Sequence, residues 1–348
     1  MPRTRTACLV FLASAALVSA QPSESEVADK IKARGHIKLS GYDGNSDPPT
    51  VASVESANVT DDDLRQVGRL TSLTGLGLAG KNITDAGVIA SLTGSKLRIT
   101  YVVIDGGMLT DATLKAVGGL PKLERLFIRT EGFTNVALAG LKSCPELRSI
   151  ELCGKEYGDE AVRSLAGVKK LQSLQLESTA VTGAGFAALA GSKELKQVRI
   201  LSAKITDARL QGIGTLKQLE ELALSQDVSL TDAGLAHVAG MTKLTKLWLS
   251  GATISDAGMK QVAKLPAVAE ITLKLATVSD AGVAELANSK SLRKLSLSDT
   301  DVTDAGLLPL SRCKSLVEVY APRTRVSLEG IAAFQKALPT CKVVTKRP

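Results

Sequence analysis

Aromatic residues are scarce in this sequence of 348 residues: five Phe, four Tyr and one Trp make up 3% of it, whereas 44% of the residues are apolar. A core with so few rings must be built from Leu, Val, Ile and Ala. Thin aliphatic layers stacked on one another suit this composition better than a single large globular core. The sequence therefore predicts one long domain rather than two.

Histidine is nearly absent, which bears on catalysis. The two histidines, His36 and His237, are expected in a terminal segment and in an outer helix, so neither is placed to activate a serine or cysteine nucleophile. Residues 75–80 match the G-x-G-x-x-G pattern, but a dinucleotide site needs its glycines between a strand and the following helix. The repeat register described below puts Gly75 and Gly77 inside a strand. We predict no catalytic residue and no cofactor.

The sequence has five cysteines and no C-x-x-C motif. Four of them lie beyond the N-terminal segment, and in an exported protein they could form two disulfides. The register aims Cys144 and Cys153 apart, whereas Cys313 and Cys341 fall in adjacent turns near the C-terminus. Either a disulfide between Cys313 and Cys341 or plain buried thiols is compatible with the sequence.

The net charge is modest, because 43 Lys and Arg residues against 35 Asp and Glu residues give +8. The basic residues are scattered and form no stripe interleaved with aromatic residues. This distribution argues against a nucleic-acid partner.

The first 20 residues have the pattern of a secretory signal peptide. Arg3 and Arg5 precede an apolar run over residues 7–18, and Val18-Ser19-Ala20 supplies the small residues of a cleavage site. The run is too short for a helix that crosses a bilayer, which needs about 20 apolar residues. We predict cleavage before Gln21, export to the periplasm, cell surface or medium, and no stable membrane insertion after cleavage.

A block of the form Leu-x-x-Leu-x-Leu-x(4)-Ile-Thr-Asp-Ala-Gly-Leu recurs about every 24 residues over most of the chain. A fixed period in this range is the signature of a solenoid with one strand and one helical segment in each turn. The Asp of the block, or its replacement, occupies twelve positions: Asp61, Asp85, Asp111, Asn135, Asp159, Gly183, Asp207, Asp232, Asp256, Asp280, Asp304 and Leu328.

Each repeat predicts one strand and one helix start. In Leu247-Trp248-Leu249, alternation sends the leucines inward and Trp248 outward. In Thr84-Asp85, the hydroxyl can cap a helix and the carboxylate lies at the positive end of its dipole. The Asp column could also be imagined as a calcium ladder, but no ion-enclosing spacing accompanies it. We therefore predict helix capping and no metal site.

The two ends of the chain break the period. Residues 21–49 are predicted to form an N-terminal cap, with a helix over 24–34 and a strand over 36–39, because the first layer of a solenoid would otherwise be exposed to water. The repeat domain is predicted over 50–338. Residues 339–348 are predicted to form a C-terminal cap strand and tail.

The repeat pattern resembles that of the leucine-rich repeat superfamily, which forms ribonuclease-inhibitor-like solenoids. The match is clearest in residues 244–249 with 254–258, and in 292–297 with 302–307. It is most similar to the cysteine-containing subclass, although Ala or Thr mostly replaces the Cys or Asn after the strand. The resemblance implies an α/β horseshoe of about 12 repeats of 24 residues, with a parallel β-sheet on the concave face and helices on the convex face.

The resemblance also implies a binding role. The subclass includes F-box proteins, whose repeats select substrates for ubiquitin ligases, but no F-box-like segment precedes these repeats and the signal peptide argues against that role. Similar repeats occur in exported bacterial proteins. We expect a non-enzymatic scaffold that binds a protein partner through its concave sheet. The alternative is an envelope-associated structural protein or one that binds cell-wall glycan through Trp248 and Tyr320.

The outward positions of the predicted strands are candidate contacts, because aromatic and Arg side chains dominate binding energies. Strand propensity alone would also explain rings at these positions. The candidate partner-binding residues are Phe127, Glu151, Gln175, Arg199, Trp248, Thr272 and Tyr320.

Overall fold

A computed structural model describes residues 22–40, 50–54, 58–94, 96, 98–106, 108–201, 206–225, 230–251 and 253–345. The predicted signal peptide, the loop of the predicted N-terminal cap over 41–49 and the last three residues lie outside the described residues. The helix predicted over 24–34 is present, and the strand predicted over 36–39 is present one residue later.

The described residues form one sheet whose strands follow the order of the sequence. The first two strands pair antiparallel, and every later neighbour pairs parallel. The strands are β1 (Ile37–Ser40), β2 (Val51–Val54), β3 (Gly75–Leu78), β4 (Tyr101–Ile104), β5 (Arg125–Ile128), β6 (Ser149–Cys153), β7 (Ser173–Glu177), β8 (Gln197–Leu201), β9 (Glu221–Ser225), β10 (Lys246–Ser250), β11 (Glu270–Lys274), β12 (Lys294–Ser296), β13 (Glu318–Tyr320) and β14 (Lys342–Val344).

A helical segment follows most strands and leads to the next one. The α-helices are α1 (Glu24–Arg34), α2 (Asp61–Val67), α3 (Asp85–Ser91), α4 (Asp111–Gly118), α5 (Asn135–Gly140), α6 (Asp159–Ser164), α7 (Asp207–Ile213), α8 (Asp232–Val238), α9 (Asp256–Val262), α10 (Asp280–Ala284), α11 (Asp304–Leu307) and α12 (Leu328–Ala337). The 3-10 helices are Leu141–Ser143, Leu165–Gly167, Ala184–Leu189, Glu285–Asn288 and Leu308–Arg312. Helices need more lateral room than the strand spacing of about 4.8 Å, so the sheet lies on the concave face. The predicted leucine-rich repeat solenoid is confirmed.

The core consists of aliphatic layers, one for each repeat. In β10, Leu247 and Leu249 are fully buried while Trp248 between them is half-buried, as the alternation predicts. Tyr157 and Phe186 are among the few rings in the interior. Along the solenoid each layer packs only on its neighbours, so the core is continuous without being wide.

Thr or Ser precedes Asp in most repeats, and in several of them Gly follows two residues later; these residues make contacts between repeats. The predicted cap hydrogen bond is absent at Thr84 in α3, whereas Ser255 caps its own helix by accepting from the N–H of Ala257 at 3.2 Å. Its own N–H and hydroxyl donate to the carboxylate of Asp232 in the preceding repeat, at 2.9 and 2.5 Å. A Cβ on Gly258 would lie 2.3 Å from that carboxylate, so glycine is needed there. The Asp column therefore links successive repeats, a role that was not predicted from the sequence.

We call this series of bonds the aspartate ladder. It is interrupted where Asn135 and Gly183 replace Asp, since no described hydrogen bond joins these residues to the next repeat. Around both positions 3-10 turns replace or shorten the α-helix, as in Ala184–Leu189. The described ladder pairs are Asp61–Thr84, Asp85–Thr110, Asp111–Thr134, Asp159–Thr182, Asp207–Thr231, Asp232–Ser255, Asp256–Ser279, Asp280–Thr303 and Asp304–Ser327.

The four described cysteines are free thiols, so the disulfide alternative for Cys313 and Cys341 is wrong for this structure. The Cys313 thiol lies 3.2 Å from the carbonyl oxygen of Ser289, and Cys144 makes a similar contact with Gly118. Burial raises the pKa of the Cys144 and Cys341 thiols to about 11. The thiols of Cys144 and Cys341 are thus unreactive and packed in the interior.

Both ends of the described sheet carry a helix. Helix α1 begins with a capping box between Ser23 and Glu26 and buries Val27, Ala28 and Ile31. At the other end, α12 buries Phe334 and leads to β14. None of the helices in the described ranges is long and apolar enough to cross a membrane.

Candidate functional site

The concave face presents one outward residue from the centre of each parallel strand. The predicted candidates do lie in one continuous row, because Phe127 pairs in register with Glu151 and Trp248 with Thr272. We call this the central row; the leading row lies two residues earlier on each strand, and the trailing row two residues later. The central row from β2 to β14 is Ser53, Gly77, Val103, Phe127, Glu151, Gln175, Arg199, Ala223, Trp248, Thr272, Ser296, Tyr320 and Val344.

Glu151 is not a free surface carboxylate. It is 6% exposed and accepts two hydrogen bonds from Arg129, at 3.1 Å from Nε and 2.8 Å from Nη2. Gln175 donates to its other oxygen at 3.1 Å. The hydrogen bond to Glu151 raises the pKa of the Arg129 guanidinium above its usual range. Arg129, on the trailing row, is therefore the group that a partner would meet, and Glu151 positions it.

A second buried glutamate, Glu221, positions an arginine beside Trp248. The Nε of Arg199 donates to the Glu221 carboxylate at 2.7 Å, and its Nη2 lies 2.6 Å from the same oxygen. Glu221 is only 4% exposed. The guanidinium lies 5.4 Å from the centre of the Trp248 ring. Ala223, between the two in the central row, is covered to 2% exposure. Trp248 and Arg199 thus form one prearranged unit rather than two independent contacts.

A third cluster lies around Phe127. The Tyr101 and Phe127 rings meet edge to face with their centres 5.3 Å apart, and the Arg125 guanidinium lies 4.9 Å from the Tyr101 centre. Tyr101 is not among the site residues predicted from the sequence. A signal was available, because Tyr101 lies two residues before Val103 and so shares its face.

The leading row becomes a regular alternation of charge toward the C-terminus. Lys294 and Glu318 lie 3.9 Å apart, and each strand in this half offers the opposite sign to its neighbour. A shallow groove between Thr272, Ser296 and Tyr320 borders this row. The leading row is therefore close to neutral over this half. The alternating residues are Glu221, Lys246, Glu270, Lys294, Glu318 and Lys342.

The remaining sequence motifs fall where the register placed them. Gly75 and Gly77 lie in β3, away from any helix start. His237 lies in α8, and His36 precedes β1 with its Nδ1 3.8 Å from the Asp63 carboxylate. Among the described residues, no three His, Cys, Asp or Glu side chains are grouped so that they could hold a metal ion.

Similarity to known proteins agrees with this architecture. A family profile, the Leucine Rich repeat, matches residues 288–311. An internalin of Listeria monocytogenes has a similar solved structure, with a TM-score of 0.57 and 16% identity over 95% of this chain and 99% of the internalin. At an identity this low, the match shows a shared fold and nothing more. No curated protein matches the sequence.

Two other bacterial structures give weaker matches. Internalin C2 of Listeria monocytogenes has a TM-score of 0.46 and 18% identity over 67% of this chain and 92% of that one. A leucine-rich repeat protein of Leptospira interrogans has a TM-score of 0.42 and 14% identity over 80% of this chain and 91% of that one.

The stacked strands and helices define a solenoid repeat protein, a class whose extended concave surfaces serve as interaction scaffolds. The period, the signature residues and the profile match at residues 288–311 show that the architecture is that of a leucine-rich repeat solenoid.

Proposed function

We propose that this protein is an exported, non-enzymatic scaffold that binds a protein partner through its concave sheet. The observation that carries the proposal is the pair of buried glutamates, Glu151 and Glu221, each of which holds an arginine on that face. Burying a carboxylate is costly, and the solenoid does not need it for its aliphatic core. Arginine held in place beside an aromatic ring is typical of binding hot spots, because less entropy is lost on association.

Export is proposed from the sequence of residues 1–20. The positive residues, short apolar run and small residues before Gln21 support it. Finding a mature N-terminus at Gln21 in the exported fraction would test this part of the proposal by itself.

The binding proposal is tested by crosslinking capture from the native cell envelope. The test variant carries Phe127→Ala, Trp248→Ala and Tyr320→Ala. The matched control removes three exposed apolar side chains from the helices, with Ile89→Ala and Val136→Ala in α3 and α5. The third control change is Leu328→Ala in α12.

We expect the concave variant to lose one specific protein that the control variant still captures. Capture that is unchanged in the concave variant and lost in the control would place recognition on the convex helices. That result would overturn the proposal.

A glycan is the second candidate, favoured by the shallow groove in the C-terminal half. The groove is lined by the hydroxyls of Thr272 and Ser296 and by the ring of Tyr320, and these groups can contact a sugar. Retention on purified cell-wall polymer, lost with Tyr320→Ala and insensitive to protein competitors, would favour this candidate over a protein partner.

A further inference from the structure

A groove of about 330 Å³ crosses the N-terminal end of the concave sheet. Its floor is low because Gly77 contributes no side chain between Ser53 and Val103, its neighbours in the central row. Val51 and Tyr101 rise on either side of Gly75 in the leading row, within 3.4 Å of where a Cβ on that glycine would be. The groove therefore has the form of a slot for one apolar side chain.

One wall of the slot is extended by rings. Tyr101 meets Phe127 edge to face at 5.3 Å, so the apolar surface continues from the floor onto β5. Burial of an apolar side chain in such a slot is favourable in proportion to the area removed from water.

The two ends of the slot carry opposite charges. At the leading-row end, Arg125 stacks on Tyr101 and, within the described part of the chain, pairs with no carboxylate. Its next neighbours along that row, Ser149 and Ser173, are uncharged. Arg125 is thus an available cation on a supported ring.

At the trailing-row end, exposed Asp105 lines the slot. The cation beside it, Arg129, is already bonded to Glu151, and Glu177 adds a further negative charge nearby. This end is therefore negative on balance. Asp105 follows Tyr101, the residue on which Arg125 stacks, by four positions, and four positions of extended backbone span about 13 Å.

From this geometry we propose that the slot binds an extended segment of a protein partner with an acidic, an apolar and a basic side chain at alternate positions. The acidic group faces Arg125, the apolar group lies over Gly77, and the basic group faces Asp105. Alternate residues of an extended segment share one face and span the same 13 Å or so, which makes the three contacts simultaneous. The inference rests on the proposed concave-face function and adds the chemistry of the partner.

Fluorescence polarisation with short labelled peptides tests it on the mature full-length protein. The peptide cores are Glu-Ser-Leu-Ser-Lys, Glu-Ser-Ser-Ser-Lys and Lys-Ser-Leu-Ser-Lys. We expect the first to bind about tenfold more tightly than the others, since it alone supplies all three groups. Equal binding of all three would overturn the inference.

Two substitutions in the slot and one control substitution locate the binding. Arg125→Glu makes both ends negative, so the preference should change to Lys-Ser-Leu-Ser-Lys. Lys246→Glu makes the same change of charge farther along the leading row and should leave the preference unchanged. Gly77→Val fills the slot with a residue that suits a strand and should remove the advantage of Leu over Ser, with an unchanged circular dichroism spectrum. Unaltered preferences in Arg125→Glu and Gly77→Val would overturn the inference.

The peptide test and the capture test fail separately. If no peptide binds but the concave triple variant still loses its partner, the slot is wrong and the concave-face function stands. If capture does not depend on the concave face, the proposed function is wrong, whatever the peptides show.

Discussion

The Asp256 carboxylate accepts hydrogen bonds from both the N–H and the hydroxyl of Ser279, at 3.0 and 2.7 Å, although the two residues are 23 positions apart. Each carboxylate of the aspartate ladder fixes the helix start of the following repeat in the same way. A solenoid gains stability from its interfaces between neighbouring repeats. The ladder should therefore contribute to stability as well as to alignment.

Replacing one ladder carboxylate should weaken one interface. Asp256→Asn replaces one acceptor oxygen by an amide, and we expect a loss of about 1–3 kcal/mol in the free energy of unfolding. Urea denaturation followed by circular dichroism measures it. Asp301→Asn, at an exposed aspartate paired with Arg325, is the control and should change little. Equal effects of the two substitutions would remove the special role of the ladder.

Glycine at the ladder position should not tolerate a methyl group. A Cβ on Gly258 would lie 2.3 Å from the Asp232 carboxylate, so Gly258→Ala should cost about 1–3 kcal/mol. Gly140 has helical backbone with nothing within 4 Å of its Cβ position, so Gly140→Ala should instead stabilise by about 0.5–1 kcal/mol. Thermal unfolding of the two variants should therefore shift in opposite directions, and a common direction would contradict this account.

Acid should weaken the hydrogen bonds of the aspartate ladder. Hydrogen bonds from Ser279 and Ser327 hold the pKa of Asp256 and Asp304 below the ordinary aspartate range. A depressed folded-state pKa stabilises the protein above the unfolded pKa of about 3.9, and the stability is lost as pH falls through the folded value. We expect the urea concentration at the unfolding midpoint to decrease as the pH is lowered below about 4. Asp256→Asn should show a smaller change over the same interval, and an identical pH profile would exclude Asp256 as a contributor.

Leu275 has a strained backbone. Its φ is +57°, and its side chain is 59% exposed, whereas the equivalent residue of the preceding repeat is Gly251 with φ +76°. Left-handed backbone costs about 1–2 kcal/mol for a residue with a Cβ, so Leu275→Gly should stabilise the protein. The exposed Val317, whose φ is negative, serves as the control, and Val317→Gly should destabilise it. A destabilising Leu275→Gly would show that the side chain contributes more than the strain costs.

Thiol titration should distinguish free cysteines from a bridge. The mature protein, denatured without reductant, should give four reactive thiols, because Cys144, Cys153, Cys313 and Cys341 are free. In the folded protein only half-exposed Cys153 should react readily, since the other three are buried. A titre of two after denaturation would indicate one disulfide in the exported protein and would contradict the four free thiols.

The architecture and the identity of the central row could be predicted from the sequence alone. The period of about 24 residues and the alternation around Trp248 are local properties, so they fix which residues face inward before any tertiary contact is known. For the same reason the helix starts and the strand position of Gly75 and Gly77 were predictable.

The contacts of each outward residue depend on tertiary packing and could not be predicted from the sequence. Side chains such as Asp232 and Ser255, or Arg199 and Glu221, lie more than twenty positions apart in the sequence and come within about 3 Å through the offset between stacked layers. That offset cannot be predicted from the repeat pattern. It is set by how the aliphatic layers pack, and it turns a column of helix caps into a ladder and two surface glutamates into buried supports for arginines.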